Sequence, residues 1–395
     1  MNTTQKGLLL LLKSAVTGEH LSLPESFSLE AAEPIIRRQS LLPLAYQGAY
    51  NCGVCPKTEL MQQYQKQYFK ILLHSQKQMR AVQQIYRAFE ENRVDYMPLK
   101  GCNLKQMYPQ PELRMMGDAD ILIRMEQYPR IKAVMESLGF SEGAESQHEL
   151  HWERSDLHLE LHKCLFAREE TDFYPYYGDG WSRAVCKEKY RYELKPEDEY
   201  IYLFTHMAKH YRKGGIGCRQ LLDLYVYRRL HPEMDETKME QAAAAIHLLE
   251  FYRNTRNLLS VWFADREADE KTGFMTDYIF SGGDWGSMEN RILSKQVKYN
   301  AGAEIIQNSK LKLMLRAVFP SFYEMSVRYP ILKKYPVLLV FCWIHRVFKL
   351  AFGRTGAVGR KFRQSSVVTD ERVTIRKQQL QFVGLEFHEG NENGE

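Results

Sequence analysis

Two aspartates placed two positions apart form the most informative chemical motif of the sequence. Asp118 and Asp120 lie at the start of a short strand candidate. In a β-strand, residues two apart share a face, so these carboxylates point together while Ala119, Ile121 and Ile123 point into a core. Two such carboxylates repel each other unless a cation lies between them, and oxygen ligands beside a phosphate substrate favour Mg²⁺. An exposed strand end can also carry such a pair, so the spacing indicates a metal site only together with further residues.

A second stretch alternates ionisable and apolar side chains. The ionisable set is Asp156, His158, Glu160 and His162, and the apolar set is Leu157, Leu159 and Leu161. This pattern predicts a strand that pairs with residues 147–153 in a hairpin turning at Arg154 and Ser155. Four ionisable residues in alternation favour a cleft, and an amphipathic strand that faces water is the alternative.

The motifs around these segments resemble a known family. In chain order they are Leu99-Lys100-Gly101, Tyr108-Pro109, Arg114 with Gly117-Asp118-Ala119-Asp120-Ile121-Leu122-Ile123, and Leu159-Glu160-Leu161-His162. Together they are similar to the bacterial, largely uncharacterised nucleotidyltransferase-like family of the DNA polymerase β nucleotidyltransferase superfamily. The likeness covers residues 94–225 and departs from the superfamily pattern at Cys102-Asn103. It implies an α+β fold, with a small mixed β-sheet nucleotidyltransferase core flanked by N-terminal and C-terminal helical regions.

The resemblance also implies an activity, namely Mg²⁺-dependent transfer of a nucleoside monophosphate from a nucleoside triphosphate such as ATP to an acceptor hydroxyl, with release of pyrophosphate. Asp118, Asp120 and Glu160 are the implied catalytic residues and metal ligands, and they would hold two Mg²⁺ ions that clamp the attacking and leaving oxygens. The implied nucleotide-binding residues are Lys100, Gly101, Asn103, Arg114 and Gly117. For Arg114, a structural salt bridge to a nearby carboxylate is an equal alternative.

The candidate substrate contacts are His158, His162, His206, His210 and Arg219. His206 and His210 lie four residues apart on a predicted helix and so share a face, which suits a phosphate contact, a zinc pair or ordinary packing. Arg219 and Asp223 have the same spacing, and an ion pair within one helix is the alternative for them.

The acceptor is left open among RNA, a small molecule, a peptide and a protein. Two other functions also remain open, a phosphotransferase on the same fold and a non-catalytic module that binds a nucleotide or a partner.

Apolar periodicity and breakers divide the chain into four predicted regions. These are an N-terminal helical region (1–92), an α/β nucleotidyltransferase core (93–190), a C-terminal helical domain (191–306) and a basic amphipathic region with a tail (307–395). Helices are predicted over residues 60–89, 103–107 and 127–138 and from Pro196, with breaks at 213–217 and 281–287.

Charge is distributed unevenly along the chain. Fifteen Lys and Arg residues lie between Lys310 and Lys377 against three acidic residues, so this stretch carries +12 while the net charge of the whole chain is +5. Such asymmetry favours a polyanionic partner. The amphipathic run at residues 336–353 is expected to dock on the protein, with peripheral membrane contact as the alternative.

Composition places the chain among globular proteins. Of its 395 residues 44% are hydrophobic and 26% charged, which excludes disorder over most of the length and a multi-span membrane protein. Residues 8–12 are too short for an export signal and no stretch is long enough for a transmembrane segment. Seven irregularly spaced cysteines indicate free thiols. A cytoplasmic location is therefore expected.

Overall fold

The computed structural model describes residues 1–54, 57–146, 148–301, 306–352 and 368–387. The chain divides into two compact units. One consists of Met1–Lys209 and Ile216–Trp285, and the other of His210–Gly215 and Gly286–Glu395. The first unit contains both the predicted N-terminal helical region and the predicted α/β core.

The described residues of the first unit form a seven-stranded mixed sheet. Its strands are β1 (Tyr96–Pro98), β2 (Ala119–Ile123), β3 (Ser141–Glu145), β4 (Glu149–Arg154), β5 (Leu157–His162), β6 (Ala184–Glu188) and β7 (Arg191–Leu194). Their order is β3-β4-β5-β2-β1-β7-β6. The central strand β2 runs parallel to β5 and antiparallel to β1, while β4 and β5 form an antiparallel hairpin.

Helices precede, connect and follow these strands. In the first unit they are α1 (Thr3–Thr17), α2 (Leu29–Arg38), α3 (Leu42–Asn51), α4 (Glu59–Glu91), α5 (Lys100–Met107), α6 (Tyr128–Ser137), α7 (Tyr174–Tyr177), α8 (Pro196–Lys213, whose last four residues belong to the second unit), α9 (Cys218–Leu230), α10 (Glu236–Ala245), α11 (Leu249–Phe263) and α12 (Glu270–Ser281). The fold is therefore the predicted α+β arrangement of a mixed sheet with helical flanks.

Helix α4 covers one face of the sheet. Its start is capped by Thr58, whose side chain accepts a hydrogen bond from the Met61 N–H, and it contains neither proline nor glycine over 33 residues. Its apolar positions recur every three to four residues, so one stripe packs on the sheet together with α6. Ile121 and Ile123 of β2 lie in this core, as the alternation predicted. Asp120, one position out of phase, therefore lies on the opposite face of β2.

The predicted strands and helices of the core are confirmed to within a few residues, whereas three strands escaped prediction. Strands β3 and β6 form the two edges of the sheet, and their side chains are almost all exposed. Because neither strand buries an apolar row, neither shows the two-residue alternation that reveals a strand. Strand β7 pairs with the edge strand β6, and three of its four residues are only half-buried.

The second unit is helical in its described residues. Its helices are α13 (Met288–Tyr299), α14 (Ser309–Val318), α15 (Phe322–Arg328), α16 (Leu339–Phe352) and α17 (Asp370–Phe382). Helix α17 packs on α13, where the buried Arg376 donates a 2.9 Å hydrogen bond from Nε to Ser294 Oγ. The basic residues at 354, 360, 361 and 363 lie outside the described residues. Within the described residues, no helix is both long and apolar enough to cross a bilayer.

Candidate active site

The centre of the candidate site is a pair of carboxylates on adjacent parallel strands. The register of β2 and β5 pairs Asp120 with Glu160 and Ala119 with Leu159. Since side chains alternate along both strands, the two carboxylates lie side by side while Ala119 and Leu159 both enter the core. Asp120 is buried and Glu160 half-buried.

Asp118 is a third carboxylate next to this pair, and it belongs to neither of the two clusters of mutually close ligand atoms described below. It is exposed to solvent immediately before β2, and its carboxylate accepts a hydrogen bond from Glu160. Desolvation and the charge of Asp120 raise the pKa of Asp118. Burial and the charges of Asp118 and Asp120 raise the pKa of Glu160 to about 8. Glu160 therefore holds a proton near neutral pH, and a cation that displaces this proton would relieve the repulsion between the carboxylates.

The side chains of Lys100 and His162 both contact the Asp120 carboxylate. Lys100 Nζ lies 2.8 Å and His162 Nε2 2.9 Å from the same oxygen, Asp120 Oδ1. Burial acts to raise the pKa of Asp120, but Lys100 and His162 outweigh it and hold this pKa well below the usual range. Lys100 begins α5 with a φ of 36°, a left-handed conformation that non-glycine residues seldom adopt. This strained backbone conformation therefore lies at the site, where the Lys100 ammonium contacts the buried Asp120 carboxylate.

The hairpin adds two residues that the sequence analysis did not include. Strand β4 places His151 opposite Glu160, with 3.7 Å between His151 Nδ1 and Glu160 Oε1. His151 Nε2 is also 3.7 Å from Glu149 Oε2. Burial opposes ionisation of Glu149, but a hydrogen bond from His148 and the charge of His162 lower its pKa to about 2. The predicted hairpin was the available signal, but its turn lies at residues 155–156 and not at 154–155, which makes Glu160 and not His158 the partner of His151.

Two groups of side chains have ligand atoms close enough to hold a metal ion. The groups are Asp120, Glu160 and His162, and Glu149, His151 and Glu160. In each group the ligand atoms lie within 4.8 Å of one another, and Glu160 belongs to both groups. His206 and His210, half-buried on α8, belong to neither group found among the described residues.

Arg114 makes the salt bridge that the sequence left open. Its Nε lies 2.8 Å from Asp223 Oδ1 and its Nη2 lies 3.0 Å from Asp223 Oδ2, and both side chains are buried. Tyr108 Oη donates a further 2.8 Å hydrogen bond to Asp223 Oδ1. This bidentate pair joins the segment before β2 to helix α9 and so positions Asp118 and Asp120. A role of Arg114 in binding the nucleotide stays a prediction.

Gly101 and Asn103 lie on α5, directly after Lys100. A Cβ at Gly101 would approach Met116 Cγ to 3.1 Å, so a larger residue would crowd the segment that leads into β2. Asn103 Nδ2 donates to Pro98 O at 2.9 Å and to Glu199 Oε1 at 3.0 Å. Both residues therefore hold α5 beside β1 and β2, and their contact with a nucleotide stays a prediction.

The remaining predicted site residues, Gly117, His158 and Arg219, differ in exposure and in their contacts. Gly117 is exposed next to Asp118, and His158 is exposed at the far end of β5, 3.8 Å from Glu153. Arg219 donates to Met115 O at 2.9 Å and to Asp284 Oδ2 at 3.1 Å. The alternative of an ion pair within one helix between Arg219 and Asp223 is therefore wrong, because Asp223 pairs with Arg114.

Comparison with known proteins places the site in context. Residues 26–264 match the sequence profile of a family described as uncharacterised nucleotidyltransferase, which is more than half of the chain. The chain belongs to this family. The resemblance drawn from the motifs is thereby confirmed, and membership in the uncharacterised nucleotidyltransferase family indicates a transferase of the nucleotidyltransferase kind.

Among solved structures, the chain is similar to the antibiotic-resistance factor ANT(2'')-Ia, determined in solution. The two are 15% identical, and the match covers 49% of this chain and 100% of that chain at a TM-score of 0.31. No curated protein matches the sequence closely enough to be counted as a relative.

Proposed function

We propose that this nucleotidyltransferase is a Mg²⁺-dependent enzyme that transfers a nucleoside monophosphate from a nucleoside triphosphate to an acceptor hydroxyl. The observation that carries the proposal is the pairing of Asp120 with Glu160 on adjacent strands, with Asp118 hydrogen-bonded to Glu160 immediately before β2. Neighbouring carboxylates repel one another, and the Lys100 ammonium directly contacts one of them, Asp120.

The donor set suits a divalent cation. Asp118, Asp120 and Glu160 would hold it, since carboxylate oxygens are the ligands that Mg²⁺ prefers. Lys100 and His162 both contact Oδ1 of Asp120, so its Oδ2 remains on the side away from those contacts. When bound, Mg²⁺ supplies charge stabilisation at the phosphate oxygens and orients the attacking and leaving groups.

Glu160 and Lys100 have separate roles in the proposed reaction. The acceptor oxygen attacks the α-phosphorus, the bond between that phosphorus and the bridging oxygen breaks, and pyrophosphate leaves. Glu160, ionised once a cation displaces its proton, would favour deprotonation of the acceptor hydroxyl. Lys100 would contact the β- and γ-phosphates, because a cation on Asp120 would weaken the attraction between that carboxylate and the ammonium.

The test compares α-labelled and γ-labelled nucleoside triphosphates incubated with the full chain and Mg²⁺. Transfer of α-label to RNA, small-molecule, peptide or protein acceptors supports the proposal and identifies the acceptor class. Transfer of γ-label indicates a phosphotransferase, and the absence of both with intact nucleotide binding indicates a non-catalytic module. Asp118→Asn should abolish the α-label transfer, whereas Asp156→Asn, on the β4–β5 turn and paired with Arg154, should not.

A further inference from the structure

Helix α16 of the second unit has apolar side chains on two sides. Its inner side contributes Leu339, Cys342 and Trp343 to a small core with Met325 and Leu332. Trp343 anchors this side, since its Nε1 donates a 2.9 Å hydrogen bond to Pro320 O. The inner side is therefore accounted for by packing within the unit.

The outer side carries a second apolar row. We call it the apolar stripe, and it consists of Val337, Val340, Phe341, Ile344 and Val347. These residues are between 39% and 81% exposed, and Phe341 alone is 68% exposed. At about 100° per residue, the four members within the helix span about 120° of its circumference. This width is that of a face that normally packs against something apolar.

Neighbouring elements extend the exposed apolar surface. Helix α14 packs against α16 and exposes Leu311 and Leu315. Ile331 and Tyr335, which precede α16, are also about half-exposed. Single exposed apolar residues need no explanation, but a row of this length on one unit marks an interaction surface.

The charge around the apolar stripe identifies the kind of partner. Residues 306–352 contain eight Lys and Arg and one acidic residue, Glu324. Lys310, Arg328 and Lys334 are exposed, and His345 lies beside the stripe on the outer side of α16. A second copy of this chain would bring two such positive surfaces together, which opposes self-association. RNA would find a positive surface, but four of the five stripe residues are aliphatic, and Phe341 alone offers a ring on which a base could stack.

We propose that the apolar stripe binds an anionic membrane surface, with α16 lying in the plane of the interface. Apolar side chains then enter the boundary between headgroups and acyl chains, while the exposed cations of the same unit meet lipid phosphates. The 14 residues of α16 extend about 21 Å, so this helix lies on a bilayer rather than across it. The inference concerns the second unit and does not depend on the proposed reaction.

The experiment is co-sedimentation of the full chain with large unilamellar vesicles. One vesicle type is an equimolar mixture of phosphatidylglycerol and phosphatidylcholine, and the other is phosphatidylcholine alone. We expect the wild type to bind the anionic vesicles and to bind the neutral vesicles weakly. Phe341→Ser with Ile344→Ser should lower the partition coefficient on anionic vesicles by at least about tenfold, since each removes an exposed apolar side chain that would enter the bilayer.

The matched control removes two exposed apolar residues elsewhere. Phe69 and Leu73 are 53% and 60% exposed on α4, so Phe69→Ser with Leu73→Ser should leave vesicle binding unchanged. A Tm equal to that of the wild type in both double variants shows that folding is unaffected. Absence of wild-type binding to anionic vesicles, or equal loss in both variants, overturns the proposal. So does a wild-type dimer in solution that Phe341→Ser with Ile344→Ser converts to a monomer.

Discussion

Asp120 and Glu160 are register partners on two parallel strands that are 40 positions apart in the sequence. Both carboxylates lie on the face of the sheet away from the α4 core, and two histidines lie beside them. His162 Nε2 is 2.9 Å from Asp120 Oδ1 and 3.8 Å from Glu160 Oε2, while His151 Nδ1 is 3.7 Å from Glu160 Oε1. The site is thus a set of carboxylates whose charge is only partly balanced by the chain itself.

Replacement of Asp118 should separate function from stability. Asp118 is exposed and its pKa is raised by desolvation and by Asp120, so Asp118→Asn removes a repulsion. We expect the Tm in metal-free buffer to stay equal or to rise by about 1–3 °C, while Mg²⁺-dependent nucleotide binding is lost. Differential scanning fluorimetry and calorimetry measure the two effects. A clear fall in Tm would show that Asp118 is structural and would contradict the metal site.

Replacement of Asp120 should have the opposite effect on stability. Asp120→Asn leaves the buried Lys100 ammonium without its counter-charge, and such a loss costs about 3–5 kcal/mol of unfolding free energy. In urea unfolding, Asp120→Asn with Lys100→Met should be more stable than Asp120→Asn alone, because the unpaired charge is then removed as well. If the double variant is less stable than Asp120→Asn alone, an unpaired Lys100 charge is not the cause of the destabilisation, and the prediction is wrong.

Lys100 and Arg114 should differ in their effect on nucleotide affinity. Lys100→Ala removes a charge-assisted phosphate contact worth roughly 1.5–3 kcal/mol, so the Kd for the nucleoside triphosphate should rise about 10- to 150-fold. Arg114→Lys breaks the bidentate pair with Asp223 and should lower the unfolding free energy by about 1–3 kcal/mol with little change in Kd. Calorimetry on folded samples measures both constants. A large rise in Kd for Arg114→Lys would assign that guanidinium to the nucleotide instead.

The raised pKa of Glu160 predicts how stability depends on pH without metal. Below pH 4.5 the group is protonated in both the folded and unfolded states, so its contribution to stability is fully present. Between pH 4.5 and about 8 the unfolded state releases the proton first, and the free energy of unfolding therefore falls as pH rises. Glu160→Gln cannot titrate, so its free energy of unfolding should fall less over this range.

Denaturant unfolding at about pH 5 and about pH 8, with chelator present, measures this difference. Mg²⁺ added at the higher pH should raise the Tm of the wild type more than that of Glu160→Gln, because the cation binds the ionised carboxylate. The matched control is Asp156→Asn, whose carboxylate belongs to the same hairpin but is paired with Arg154. Identical pH dependence in the wild type and in Glu160→Gln would contradict the assignment of this titration to Glu160.

The local pattern of the sequence determined a large part of this protein. Alternation over residues 157–162 predicted β5, and the uninterrupted periodicity over residues 60–89 predicted α4. The position of Asp118 and Asp120 at the start of β2 followed from their spacing and from the apolar residues after them. These features depend on neighbours in the chain, and the two-residue and 3.6-residue periods report them directly.

Only the tertiary structure decided which distant groups meet. The pairing of Arg114 with Asp223 joins residues 109 positions apart, and the contact of Lys100 with Asp120 depends on how α5 packs beside β2. His151 lies opposite Glu160 because of the register in which β4 and β5 pair. A shift of this register by one residue would place the two side chains on opposite faces of the sheet. A local pattern states which face a side chain occupies, but the strand that lies beside it is set by the packing of the whole sheet.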